Sequence, residues 1–223
     1  MGKKHTEPLV PDTYYHVFNR GINGTRIFTK KGNADYFLEK YIKYILPIAD
    51  TYAYVLMGNH FHFLIKTKSE AEIREFYRGT NADRVLNPVS VCTNVTQDKT
   101  ASFIISKQFS NLFNTYAQAI NKQDERTGGL FETPFRRIPI DSMDYLAHMV
   151  FYIHNNPVKH GFTDDFTLYQ YSSYPSFLTT EPTFIQRNEV FTWFGGKEAF
   201  LIYHGQKHDF DEKWYENNWI EID

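Results

Sequence analysis

Apolar and polar positions change period several times along the chain, and each change marks an element. Residues 14–19 alternate like a strand, and Arg20-Gly21-Ile22-Asn23-Gly24 forms a turn after them. Over residues 33–46, Tyr36, Phe37, Tyr41, Tyr44 and Ile45 recur at helical spacing until Pro47 ends the run. Residues 51–57 and 60–67 predict two strands about Gly58-Asn59, the usual signal of a hairpin. A helix is expected over 70–78. Residues 79–100, with Asn87-Pro88 and Thr96-Gln97-Asp98-Lys99, show no apolar period and read as a long loop. Phe109, Leu112, Phe113, Tyr116 and Ile120 predict an amphipathic helix over 106–123, broken by Thr127-Gly128-Gly129, with a strand over 135–140. A last helix starts at Asp141 as N-cap. Leu146, Met149, Val150 and Ile153 give it an apolar face, and Pro157 is expected to stop it. Antiparallel strands with two or three packed helices make an α+β sandwich.

Two of these elements carry chemistry. Side chains on a strand alternate between faces, so His60 and His62 share one face while Phe61 and Phe63 share the other. A strand end can therefore offer two imidazoles to one cation, although two polar residues on an ordinary sheet face give the same pattern. On the last helix His148, Tyr152 and Asn156 stand four residues apart, in one line of side chains. Tyr152 as a core ring with its hydroxyl at the rim, and Asn156 as a cap before the proline, fit that spacing equally well.

Four spaced stretches carry a family resemblance: His60-Phe61-His62; Gly129-Leu130-Phe131-Glu132-Thr133-Pro134-Phe135-Arg136-Arg137; Tyr152-Ile153-His154-Asn155-Asn156-Pro157-Val158-Lys159-His160-Gly161; and Tyr171-Ser172-Ser173-Tyr174. In this order, over residues 14–174, the chain resembles the HUH single-tyrosine transposases, and most closely their REP-associated branch. The resemblance implies a ferredoxin-like or RRM-like antiparallel sheet. It also implies Tyr152 as nucleophile, and His60, His62 and Asn156 as ligands of a divalent Mg²⁺ or Mn²⁺ ion. Single-stranded or hairpin DNA would be cut to a 5′-phosphotyrosine link and a free 3′-hydroxyl. A phenol titrates near ~10, so it needs such a cation or a base close by to act at neutral pH. His148 would stand behind the ligands or accept the phenol proton, if it is not simply a partly exposed histidine on the helix flank. Whether the tyrosine and histidines meet within one chain or between two is open in the sequence; the REP-associated branch implies a monomer. Other classes compatible with the residues are a noncatalytic module that binds hairpin nucleic acid and a metal hydrolase acting on a small phosphoester.

Composition changes this picture in one respect. The chain has 223 residues, 42% hydrophobic and 17% aromatic, enough for one substantial core. Its formal net charge of −2 is unlike a domain that holds nucleic acid by bulk electrostatics, so DNA affinity must come from local patches. Arg20, Arg136, Arg137 and Lys159 are the DNA-binding candidates, with Lys3-Lys4, Arg26, Lys30-Lys31 and His160 as further basic positions; Arg136-Arg137 and Lys159-His160 flank the proposed nucleophile helix. A single cysteine, Cys92, gives no sign of an oxidising compartment, and no apolar run approaches a membrane span; a cytoplasmic protein is expected. The expected division is a catalytic domain over 1–175 and an aromatic-rich appendage over 176–223, whose Phe191, Trp193, Phe194, Phe200, Tyr203, Trp214, Tyr215 and Trp219 favour core packing over a base-stacking role.

Overall fold

Four strands form one antiparallel sheet in the order β2-β3-β1-β4, with β1 at Tyr14–Arg20, β2 at Ala49–Met57, β3 at His60–Thr67 and β4 at Arg136–Ile140. The computed structural model describes residues 7–85 and 99–206. Helix α1 (Asn33–Tyr44) joins β1 to β2, and α2 (Glu70–Val85) with α3 (Ala101–Gln123) joins β3 to β4. This is a ferredoxin-like βαββαβ order, here followed by α4 (Met143–Lys159), α5 (Tyr174–Leu178), α6 (Arg187–Phe194) and α7 (Lys197–Gly205).

Strand alternation sorts the two faces of the sheet. Phe61 and Phe63 point to α1 and α3: Phe61 meets Phe37 at 5.1 Å between ring centroids, and Phe63 stacks on Tyr41 at 4.2 Å. All four rings are fully buried, each worth about 1.5–3 kcal/mol relative to exposure. That burial fixes the register, since a slip of one residue would turn His60 and His62 into the core and both phenylalanines out of it. The opposite face, bearing His16, Phe18, His62 and Leu64, is covered by α4.

Several expectations change. Helix α2 runs on through Val85, so residues 79–85 are helical rather than loop, while residues 86–98, with Cys92 and Asn87-Pro88, lie outside the described residues. Helix α3 begins earlier than the apolar stripe, because the Thr100 side chain accepts a hydrogen bond from the Phe103 N–H and caps it. Helix α4 has Ser142 rather than Asp141 at its N-cap, and it does not stop at Pro157. A proline this close to the end forfeits only one helical bond, and the chain closes instead through His160 N–H to Asn156 O (3.0 Å) and Phe162 N–H to Pro157 O (2.8 Å). Gly161, at φ +68°, then takes the left-handed turn that ends the helix.

The Tyr171-Ser172-Ser173-Tyr174 stretch closes the outer edge of β2. Leu56 N–H donates to Tyr171 O at 2.8 Å, Ser173 N–H to Tyr54 O at 2.9 Å, and further along Gln186 N–H to Thr51 O at 2.8 Å. Residues 176–206 pack on the same core: Phe177, Val190 and Phe200 are fully buried, and Trp193 stacks on Tyr52 at 4.8 Å. Lys3-Lys4 and the acidic, tryptophan-bearing stretch from residue 207 lie outside the described residues. Among the described residues no helix is long and apolar enough to cross a membrane.

Candidate nucleic-acid processing site

A pocket of about 380 Å³ opens at the end of β3 where the hairpin turn, the end of β1, the segment before β4 and the end of α4 come together. His60, His62, Tyr152, Arg20, Arg136 and Glu132 are among the side chains that line it.

The two histidines of β3 are held differently. His60 is half-buried and its Nδ1 lies 2.6 Å from Oδ1 of Asn59; the amide oxygen can only accept, so Nδ1 carries a proton and Nε2 is the nitrogen left for a ligand. His62 is buried, with Nδ1 2.9 Å from Nε2 of His16 on the neighbouring strand. Burial holds the His62 imidazole well below its ordinary range, and the nearby His16, His60, His160 and Lys159 push it the same way. It is therefore neutral near pH 7, the form that can bind a cation. Neutral rings tied through their second nitrogen are the arrangement by which metal-binding histidines are oriented.

Helix α4 lies across this face and brings Tyr152 to it. The Tyr152 ring is edge-on to His62 (5.8 Å, 89°) and to His16 (5.9 Å, 84°), and the Lys159 ammonium stands 5.8 Å from its centroid. The Tyr152 ring thus meets the His16 and His62 rings within one chain. His160, the C-cap of α4, sets its ring 4.8 Å from His60. On the other wall Glu132 receives the Arg20 guanidinium at 2.6 Å and lies 3.9 Å from that of Arg136, so one carboxylate holds two cations at the pocket side.

Not every expected residue reaches the pocket. His148 is exposed on the outer flank of α4, where its Nδ1 lies 2.7 Å from the Tyr203 hydroxyl of α7, because the helix turns that flank toward α7 rather than the sheet. Arg137 points to the opposite face of β4 from Arg136; it donates to the Glu7 carbonyl and its guanidinium lies over Phe135. Asn156 is buried below Tyr152, but its amide nitrogen donates to the Tyr152 carbonyl at 2.9 Å and the side chain does not line the pocket. Its Oδ1 is a buried acceptor without a hydrogen bond.

Sequence reasoning passed over His16, Asn59 and Glu132. His16 sits at an alternating position of a predicted strand, but its value depends on β1 pairing with β3, which no local pattern gives. Glu132 lies in an irregular segment that the Glu132 N–H bond to Arg20 O (2.9 Å) lays beside the end of β1.

Behind the site, a buried chain of hydrogen bonds ties α4 to its surroundings. His204 Nδ1 lies 2.9 Å from Phe200 O, His154 Nδ1 3.0 Å from His204 Nε2, and Ser173 Oγ 2.8 Å from His154 Nε2. Tyr54 N–H donates to the same serine oxygen at 2.9 Å. The Phe200 carbonyl can only accept, so His204 donates to it through Nδ1; with Ser173 Oγ donating to Nε2 of His154, that ring donates in turn through Nδ1 to Nε2 of His204. Burial holds His154 well below its ordinary range, in keeping with a neutral ring.

Fold and site together define an α+β chain with a phenol, paired imidazoles and paired guanidiniums on one sheet face. The chain is similar to a solved REP-associated tyrosine transposase bound to a REP hairpin: 14% identity, 82% of this chain and 89% of that chain covered, TM-score 0.52. A bacterial tRNA(His) guanylyltransferase-like protein in complex with GTP overlaps less closely, at 14% identity over 69% of this chain and 66% of that one, with a TM-score of 0.38. No protein-family model and no curated protein matches the sequence. At this identity the likeness is one of fold, an antiparallel sheet with helices packed on it.

Proposed function

We propose that this protein cuts and rejoins single-stranded DNA at hairpin-bearing ends, with Tyr152 as the nucleophile. The observation that carries this reading is the meeting of the Tyr152 ring with the His16–His62 pair at 5.8–5.9 Å, in a pocket whose other wall bears Arg20 and Arg136. The fold likeness to a transposase bound to a DNA hairpin supports it.

In this mechanism the strand enters with its scissile phosphate between the β3 histidines and Tyr152. Arg20 and Arg136, oriented by Glu132, contact phosphate oxygens and balance their charge. The Tyr152 oxygen attacks phosphorus as the bond to the 3′-oxygen breaks. The phenol proton is lost, the departing 3′-oxygen gains one, and a 5′-phosphotyrosine remains. Rejoining is the reverse, with a 3′-hydroxyl attacking and Tyr152 leaving.

A divalent ion fits the donors only in part. Among the described residues no three His, Cys, Asp or Glu side chains gather as a metal-binding group. His60 and His62 would hold the ion through Nε2, and Asn156, whose buried Oδ1 makes no hydrogen bond, would be the third donor. Two imidazoles and one amide oxygen leave positions open for substrate and water, as suits Mg²⁺ or Mn²⁺ in catalysis better than a closed structural zinc site. Bound there, the ion would supply Lewis-acid neutralisation of the phosphate.

The test is covalent capture. Incubation with 5′- and 3′-labelled hairpin oligonucleotides and Mg²⁺ or Mn²⁺ should give a denaturant-resistant adduct carrying the fragment downstream of the cut, and Tyr152→Phe should abolish it. Binding unchanged in both proteins with no adduct in either would instead assign a noncatalytic hairpin-binding module.

A further inference from the structure

Of the large apolar side chains that stand exposed among the described residues, Phe162 alone lines the pocket; it is 44% exposed. It follows α4 directly, and its position is fixed by backbone rather than by core packing. Its N–H donates to Pro157 O at 2.8 Å, the Gly161 N–H donates to Val158 O at 3.0 Å, and Gly161 holds a left-handed φ of +68° between them. The ring lies against the β2–β3 turn: a Cβ on Gly58 would come 3.4 Å from Phe162 Cε1 and 3.5 Å from Arg26 Nε. The His60 ring is 6.5 Å away, at 63°. The result is an aromatic ring held at the pocket rim, beside the exposed Arg26 and one residue group away from Lys159 and His160.

Water is a poor environment for a phenyl ring, so an exposed ring anchored at a site for an anionic strand calls for an apolar, flat occupant that arrives with phosphates attached. A nucleobase has both properties, and stacking on an aromatic side chain is tolerant of base identity. Resting on the reading given above, we propose that Phe162 is the stacking platform for an unpaired nucleobase adjoining the scissile phosphate, with the Arg26 guanidinium beside that base's own phosphate. The base would cover the open part of the ring and thereby set how the strand is threaded past His60 toward Tyr152.

The experiment uses the full chain carrying Tyr152→Phe, so that DNA is held without being cut. Hairpin oligonucleotides carry 2-aminopurine at one position each around the cut mapped with the native protein. One position next to the cut should lose fluorescence on binding. Phe162→Leu, which keeps an apolar side chain against Gly58 but has no ring, should abolish that quenching and weaken binding roughly ten-fold, and Phe162→Trp should restore both. An abasic site at the same position should weaken the Tyr152→Phe protein by the same factor and have no further effect on the Phe162→Leu form. Equal affinity of Phe162→Leu and its parent, or a loss that no single base position shares, would overturn the platform while native covalent capture left the Tyr152 assignment standing. Failure of the native chain to bind any single strand would overturn both.

Discussion

His62 shows how much one side chain's surroundings decide. It is buried, neutral and bonded through Nδ1 to His16, so its remaining nitrogen is aimed rather than mobile. His60→Ala or His62→Ala should abolish cleavage while hairpin-DNA affinity stays within several-fold, because in the proposed mechanism these rings act on the reacting phosphate rather than on the length of the strand. Gel shift and covalent capture measured side by side check this, and cleavage that proceeds equally with and without EDTA would contradict it. At this scale the pairing of His60 with His62 was legible, since strand alternation alone puts them on one face. The role of His16 was not, because it depends on strand partners 46 residues apart. Asn156 marks a different boundary. Helical spacing gave its position relative to Tyr152, but spacing does not fix the side-chain rotamer, and its amide nitrogen is spent on the Tyr152 carbonyl.

Among elements, α4 is the one whose placement matters most, and it is set from behind by Ser173, His154 and His204. Ser173→Ala removes both the proton donor to His154 and the acceptor for the Tyr54 N–H in a site with no solvent access. The variant should lose about 1–3 kcal/mol, seen as a lower urea midpoint at unchanged slope, with a still larger fractional loss of adduct formation because the helix bearing Tyr152 is loosened. A midpoint equal to that of the native chain would show the bond chain to be dispensable. The strands and the amphipathic stripe of α3 could be read from period alone. The extension of α2 could not, since residues 79–85 offer only Ala82 and Val85 as apolar positions, too few for a stripe, and neither could the run of α4 past Pro157, which depends on closing bonds from residues 160–162.

At the scale of the whole molecule, buried tyrosines make the fold sensitive to alkali. Burial raises the hydroxyls of Tyr41, Tyr52, Tyr54 and Tyr116 above their usual 10.0, with Tyr54 at about 12. A folded value above the unfolded one means that the folded state keeps its protons longer, so this stability is complete below pH 10 and is lost as pH rises from 10 toward 12. Tyr54, which is 8% exposed, contributes up to about 1.4 kcal/mol per pH unit in that window. Thermal melts at pH 7, 9 and 11 should give similar midpoints for the first two and a marked fall at the third, with part of the phenolate absorbance of the chain's 16 tyrosines held back until unfolding. Full phenolate absorbance in the folded chain, with no part held back until unfolding, would contradict the burial.

The covering of β2 by residues 171–173 and 185–186 also limits how copies of this chain could assemble. That flank has no vacant row of amides to offer a guest. The far flank, β4, carries the exposed Pro139, which has no N–H to give. Among the described residues, lengthening the sheet from one such molecule into the next is therefore a poor route of association along either flank.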